Sequence, residues 1–514
     1  MKLAKAMLTV AGMTALSRIA GFVRDVLTAA YLGAGPVADA FFVALKLPNF
    51  FRRITAEGAF SIAFVPMYSK ARETGTQNSA DAFASNAFMV MLTLLSVFTA
   101  LALVFMPYII ALIAPGFTGD LQRTVLAVEL SRITFPYLPF ISLAALLGGV
   151  LNAMDRFAPF AFAPTIFNLS LITALLLSGA FQTVGHAMAY GLMVAGILQL
   201  AFLFLCARKA GMRLKIAIPR FNTDIRKMFR LMGPAVIGAG VVHINLFADI
   251  IMASFLGEGA ISYLYYADRL NQLPLGVVGI AVGTALLPML SRAMLQEDIT
   301  QARDLFNRAL EYCLLLALPA SVALLVMPLT LITILFERGA FDAIDSAASA
   351  GVLRAYAIGL PSYIAIKVFS TAHWAREDTK TPVRISVIAT VLNIILSVLL
   401  IQIIGVAGIA LGTALTGWLQ FVLHIGALKG NSAARFDAKF IRNAPKIVLS
   451  SCIMGGGVYI LNAVFYNIIH GDIALYKASV LALIIISGMA LYSGLIISTK
   501  VVSISELRRY LIKR

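Results

Sequence analysis

Residues 7–35 read MLTVAGMTALSRIAGFVRDVLTAAYLGAG, a run long enough to cross a bilayer that still holds Arg18, Arg24 and Asp25. An apolar helix of roughly 20 residues spans the hydrocarbon core, and each ionised side chain inside it costs roughly 2.5–3.5 kcal/mol. Either the run is not a membrane helix, or its charges face something other than lipid. The whole chain decides between these. Its 514 residues are 60% hydrophobic and 13% charged, with a mean hydropathy of +0.91. A soluble domain carries about 25% charged residues, so the composition implies an all-α polytopic membrane protein.

The opening MKLAKAMLTVAGMTAL has the basic start and apolar centre of a signal peptide. The charges that follow and the many later apolar runs favour a retained first helix. Fourteen spans are expected, over 7–31, 37–66, 86–112, 130–153, 159–181, 185–207, 228–256, 262–291, 306–335, 346–372, 383–403, 406–428, 444–467 and 474–499. The net charge of +17 is spread over short segments between spans, which fits membrane topology better than nucleic-acid binding. ARKAGMRLKIAIPR, AREDTKTPVR, KGNSAARFDAKFIRNAPK and the tail ELRRYLIKR fall on one side, while only Arg123, Arg338 and Lys477 fall in the opposite loops. Both termini are therefore expected in the cytoplasm. Cys206, Cys313 and Cys452 lie far apart in or beside apolar runs and read as small buried hydrophobes.

The chain repeats itself. YLGAGPVADAFFVALKLP (31–48) is answered by FLGEGAISYLYYADRLNQLP (255–274), and AFVPMYSKA (63–71) by ALLPMLSRA (285–293), at nearly one offset. Six spans per copy give both copies one orientation. The expected architecture is two six-helix lobes about an axis along the membrane normal, with a cavity between them. The boundaries read as 1–220, 221–430, and a C-terminal pair of spans with a basic tail over 431–514.

On a helix, Thr14, Ser17, Arg18, Gly21, Arg24, Asp25 and Thr28 share one face. The second span carries Asp39, Lys46, Asn49, Arg52, Arg53 and Glu57, and the eighth carries Tyr265, Asp268, Arg269, Gln272 and Gly276. Facing lipid, Arg18, Arg24, Arg52 and Arg269 together would cost on the order of 10 kcal/mol. Salt bridges Arg24–Asp25, Lys46–Asp39 and Arg269–Asp268 would account for part of the set. Arginine outnumbers acid on these stripes, however, and its planar fork suits phosphate oxygens. The residues alone imply a transporter whose central cavity binds an anionic, phosphate-bearing head group. The sequence has no G-x-x-x-x-G-K-[ST] or H-E-x-x-H motif, and its five histidines read as single packing residues.

SRIAGFVRDVLTAAYLGAGPVADAFFVALKLPNFFRRITAEGAFSIAFVP, YYADRLNQLPLGVVGIAVGTALLPMLS and DTKTPVRI resemble the MurJ (MviN) family of lipid II flippases. That family sits in the multidrug/oligosaccharidyl-lipid/polysaccharide exporter superfamily. The resemblance implies a transporter, not an enzyme, in the bacterial inner membrane. Lipid II would pass from the cytoplasmic to the outer leaflet by rocking of the lobes. It implies that Arg18, Arg24, Arg52 and Arg269 clamp the pyrophosphate, with Asp25 and Asp39 as their counter-ions when the cavity is empty. Ser17, Lys46, Asn49 and Asp268 would line the cavity, and Arg53 and Glu57 would serve a gate or anchor the second span.

The last two spans would form a groove for the polyprenyl tail. Gly455-Gly456-Gly457 would then admit an acyl chain or pack helices closely. A sodium site in the second lobe would use Asp249, Asn393 and Thr413, although Ser397 stands where a second carboxylate is expected. Asp249 reads equally as a structural aspartate. No cofactor is implied, and sodium or the membrane potential would drive transport. Expected partners are lipid II, membrane lipids and cell-wall synthesis or division proteins, with a monomeric chain. A flippase for another polyprenyl-pyrophosphate glycan and a non-transporting cell-wall scaffold remain alternatives. A drug-cation antiporter would need an acidic cavity.

Overall fold

The structure is a computed structural model. It describes the backbone of residues 2–53, 60–281, 286–296, 298–429, 432–469, 471 and 473–502, and the side chains of these except 2–8, 60–62, 234–244, 246, 277–281 and 474. All regular structure among them is helical, apart from one isolated bridge between Arg338 and Phe341. Ten helical stretches are long and apolar enough to cross a membrane. The expected spans 7–31, 37–66, 228–256 and 262–291 are not among those ten, and each includes residues whose backbone or side chains are not described. The basic tail ELRRYLIKR and Glu57 also lie outside it.

Contacts divide the chain into two units, residues 1–262 with 338–341, and 263–337 with 342–514. The first holds α1 (Lys2–Leu32), α2 (Pro36–Arg52), α3 (Phe60–Thr74), α4 (Gln77–Val104), α5 (Met106–Ile113), α6 (Leu121–Thr134), α7 (Tyr137–Ala153), α8 (Ala158–Leu176), α9 (Val184–Lys209), α10 (Thr223–Ser254) and the first turn of α11 (Ala260–Ala281). In it α8 lies between α1 and α9, and α2 lies against α6. The helices approach closely at small residues: Gly191 meets Ala174, and Gly196 meets Tyr137. Phe64 stacks between Tyr68 at 5.7 Å and Phe83 at 5.5 Å.

The second unit holds the rest of α11, then α12 (Leu287–Leu295), α13 (Ile299–Val326), α14 (Pro328–Phe336), α15 (Ala343–Trp374), α16 (Lys380–Ile404), α17 (Ala407–Ala427), α18 (Ala438–Val464), α19 (Tyr466–Ile469) and α20 (Ala474–Ser498). Here α17 lies between α15 and α16, and α13 lies between α15 and α18. A polar clasp joins α13 to the start of α18. Arg308 reaches Glu311 and, at 2.6 Å, Asp437, while Asn443 donates to Glu311 at 2.5 Å. Asp437 also caps α18 by accepting the Phe440 N–H. These four bonds satisfy one another, as buried polar groups must. Outward, α16 exposes Val391, Ile395 and Leu399 while burying Asn393 and Ser397, the pattern a lipid solvent selects.

The two units share a local pattern. The helix α4 stops at Val104 and α13 at Val326, each two or three residues before a proline that opens the next helix, Pro107 or Pro328. Proline fits a first turn because its missing N–H is not needed there. Asp120 and Asp342 then cap α6 and α15 through their side chains. The loop between each pair is seated by glycine. Gly116 donates its N–H to Ser254 Oγ at 3.0 Å, and a Cβ there would strike the Ser254 carbonyl. Gly339, at φ +59°, lets Ala340 donate to the Ala30 carbonyl at 2.8 Å, which places 338–341 with the first unit.

Two sequence readings are corrected. Cys313 is buried, but Cys206 is half-buried and Cys452 is exposed, so Cys452 is not a core residue. His373 and His424 are not isolated: their rings lie 5.4 Å apart, because α15 and α17 pack side by side.

Candidate functional site

The stripe on α1 is organised by its neighbour α8. Arg24 is only 9% exposed, and its Nε and Nη2 donate to Asp25 Oδ1 at 3.2 and 2.6 Å. Nη1 donates to Asn168 Oδ1 at 2.8 Å, and Asn168 Nδ2 donates to the Ser17 carbonyl at 2.9 Å. The Phe167 ring lies 5.5 Å from the guanidinium carbon. Gly21 lies against this group: a Cβ there would come into contact with the Asn168 amide at 3.4 Å. Arg24 thus has its charge balanced by a sequence neighbour and its orientation fixed by a neutral amide on another helix. Arg18, two turns earlier, is exposed.

On α2 the polar residues do two different things. Asp39 is fully buried, and its carboxylate accepts from Ser262 N at 2.9 Å, Ser262 Oγ at 2.7 Å and Gly259 N at 2.8 Å. Arg123 on α6 pairs with it at 3.3 Å and stacks over Phe117 at 4.3 Å. A carboxylate at a helix N-terminus satisfies amides that have no partner within the helix and meets the positive end of the dipole. Asp39 is therefore the acceptor for the start of α11. Further along, Asn49 donates to the Leu45 carbonyl and accepts from Arg52 Nε at 3.1 Å. Lys46 and Arg52 are half-buried and Arg53 is exposed.

In the second unit, Arg269 lies 4.5 Å from the Tyr265 ring centre, and Asp268 accepts from Gln272 at 2.6 Å. Asn393 on α16 donates to Thr413 on α17 at 3.0 Å and to Thr416 at 3.4 Å. Asn393 Oδ1 and Ser397 Oγ, one turn apart, are buried without a hydrogen-bond partner among the described residues. Two orphaned neutral oxygens beside a hydroxyl are donor chemistry that a hard monovalent cation can use. Asp249 lies on α10 in the first unit and is half-buried. Among the described residues no group of three or more His, Cys, Asp or Glu is arranged to hold a metal.

The structure thus brings Ser17, Arg24 and Asp25 together, and separately Asn393 and Thr413. Sequence reading missed Asn168, Arg123 and Ser262. Arg123 left a signal, being one of three basic residues on the face where basic residues are rare. Asn168 and Ser262 left none, since a single amide or hydroxyl in an apolar run is common.

Ten helices of membrane-crossing length and apolarity, with no strand among the described residues, define a polytopic membrane protein. The backbone resembles an inward-facing multidrug MATE transporter of the MOP superfamily, with a TM-score of 0.67 over 83% of this chain and 99% of that one, at 14% identity. That likeness shows the fold. A closer solved structure, a lipid II flippase MurJ in an inward closed conformation, has a TM-score of 0.79 at 28% identity, covering 95% of this chain and 98% of that one. A profile described as lipid II flippase MurJ matches residues 28–479. A probable lipid II flippase MurJ from Rhizobium tropici is 39% identical over 96% of this chain and 93% of its own. The chain belongs to the MurJ lipid II flippase family.

Proposed function

We propose that this chain is a lipid II flippase, a transporter and not an enzyme. It carries the undecaprenyl-pyrophosphate-linked peptidoglycan precursor from the cytoplasmic to the periplasmic leaflet of a bacterial inner membrane. Family membership supports the cargo. The observation that carries the mechanism is Arg24, a guanidinium buried on the 31-residue helix α1, paired with the adjacent Asp25 and hydrogen-bonded to the neutral Asn168. In this reading the pyrophosphate displaces Asp25 from Arg24, and Arg18, Arg52 and Arg269 supply the remaining charge. A dianionic group in a low-dielectric site recovers more from guanidinium donors than one carboxylate does.

Alternating access by two six-span repeats, with the tail held by α18 and α20, belongs to the same proposal. Release of the first turn of α11 from Asp39 would be one of its steps. Both termini would be cytoplasmic, following the basic segments. Sodium would bind through Asn393 Oδ1, Ser397 Oγ and Thr413 Oγ1, or the membrane potential would act on the arginines directly.

The test is depletion of the native flippase in a bacterium that carries this chain, with lipid II accessible at the outer surface assayed by labelling. Wild type restores labelling and growth, and Arg24→Ala does not. Failure of the wild type to restore labelling, despite normal membrane levels, overturns the assignment of cargo. Rescue by Arg24→Ala overturns the clamp.

A further inference from the structure

The connection between α9 and α10 has features that the transport reading does not use. At its start Gly211, at φ +99°, closes α9: its N–H reaches the Arg208 carbonyl, and Met212 N–H reaches the Ala207 carbonyl. The chain then runs without regular structure to Asn222. It is nonetheless pinned along one face of α4. Arg213 N donates to Asp81 Oδ2 at 3.0 Å, Lys215 N to Ser85 Oγ at 3.0 Å, and Arg220 N to Asn86 Oδ1 at 2.9 Å. Asn86 returns a bond to the Arg220 carbonyl at 2.8 Å.

Between those pins Ile216 and Ile218 are 86% and 81% exposed. Beside them a cavity of about 580 Å³ has Phe204, Ala207, Met212 and Leu214 on its apolar part and the exposed Arg208 and Arg213 at its polar part. Residues 207–222 contain five basic side chains and no acidic one. The Asp81 carboxylate against this segment is occupied by the Arg213 amide and by Gln77.

The geometry points to a binding site for an anionic phospholipid, whose phosphate sits between Arg208 and Arg213 and whose acyl chain follows Phe204 and Leu214. The helix α9 is of membrane-crossing length and ends at Lys209, which sets the connection at the membrane–water interface. There Ile216 and Ile218 enter the acyl boundary while Lys215 and Arg220 meet neighbouring head groups. A second copy of this chain is a poor occupant, since it would set cation against cation. A soluble acidic protein would leave the two isoleucines in water. The proposal depends on the cytoplasmic orientation given above only for which leaflet supplies the lipid. The binding itself is tested without it.

The experiment uses the purified full-length chain in a neutral detergent, titrated with phosphatidylglycerol, phosphatidylcholine or inorganic phosphate. Retained lipid is counted by native mass spectrometry, and the thermal midpoint is followed in parallel. Phosphatidylglycerol is expected to be retained and to raise the midpoint, while phosphatidylcholine and phosphate do neither. Arg208→Gln with Arg213→Gln is expected to retain one phosphatidylglycerol fewer and to weaken the midpoint response on the order of 10-fold. The corresponding double lysine variant keeps most of the response. Unchanged retention in the glutamine variant, equal binding of phosphatidylcholine, or an equal response to phosphate alone each overturns the site.

Discussion

Ser262 donates both its backbone N–H and its hydroxyl to the same oxygen of Asp39, at 2.9 and 2.7 Å. The carboxylate that receives them is fully buried, and its other oxygen takes Gly259 N–H and Arg123. One side chain on α2 therefore supports the opening of a helix more than two hundred residues away in sequence. Asp39→Ala leaves Arg123 buried without its counter-ion and is expected to destabilise the protein by about 3–5 kcal/mol. Asp39→Asn keeps an acceptor oxygen but not the charge and should cost less. Thermal unfolding in detergent separates the two, and equal midpoints for Asp39→Ala and wild type would refute the role.

Asn168 orients Arg24 from outside α1, so it should matter without touching cargo. Asn168→Ala removes one charge-assisted hydrogen bond, worth about 1.5–3 kcal/mol, and frees the Ser17 carbonyl. Surface-accessible lipid II is expected to fall strongly in the complementation assay, with normal protein levels. Asn168→Asp adds an acid beside Arg24 and should also impair transport, by competing with an incoming anion. Transport by either variant at the wild-type rate would show that orientation of Arg24 is not limiting.

Three adjacent glycines on α18 should respond differently. A Cβ on Gly455 would strike Val322 of α13, one on Gly457 would lie 2.8 Å from the end of Leu491 on α20, and one on Gly456 meets nothing within 4 Å. Gly455→Ala is expected to cost about 1–3 kcal/mol, because branched Val322 has little room to move. Gly457→Ala should cost less, since Leu491 can swing. Gly456→Ala should be neutral or stabilising by up to about 1 kcal/mol through helix propensity. Thermal midpoints of the three variants give the order directly.

Asp378, in the connection between α15 and α16, is held below its ordinary 3.8, at about 2, chiefly by the Thr381 N–H and also by His373. Its folded value lies below its unfolded one. Its contribution is therefore fully present above about pH 4 and is lost as pH falls towards 2. Asp378→Asn should flatten that part of the stability profile, lowering stability slightly at neutral pH and leaving it little changed near pH 2. Because the side chain is about a third exposed, solvent screening keeps the effect small.

Much of the fold was legible because a bilayer writes plainly. Runs such as 185–207 are apolar at bilayer length, and they emerge as α9 and its counterparts. The repeat was read from YLGAGPVADAFFVALKLP, while the proline-opened helix followed by an aspartate cap, present in each unit, was missed. Such short punctuation occurs by chance in many sequences. Within the site, Arg24 and Asp25 were legible because charge in an apolar run is costly and hence conspicuous. Asn168 and Ser262 were not, because their importance lies in where a distant helix puts them. Asp39 was read as a counter-ion to the stripe arginines, yet the structure gives it Arg123 and a helix start. A carboxylate in an apolar run announces that it has a partner without saying which one.

The grip of Asp81, Ser85 and Asn86 on residues 213–220 passes through main-chain groups of Arg213, Lys215 and Arg220. Every amino acid but proline carries such an N–H, so the path of this segment is insensitive to the identity of its side chains. Its side chains can change without displacing the segment, because three residues of α4 keep its course fixed.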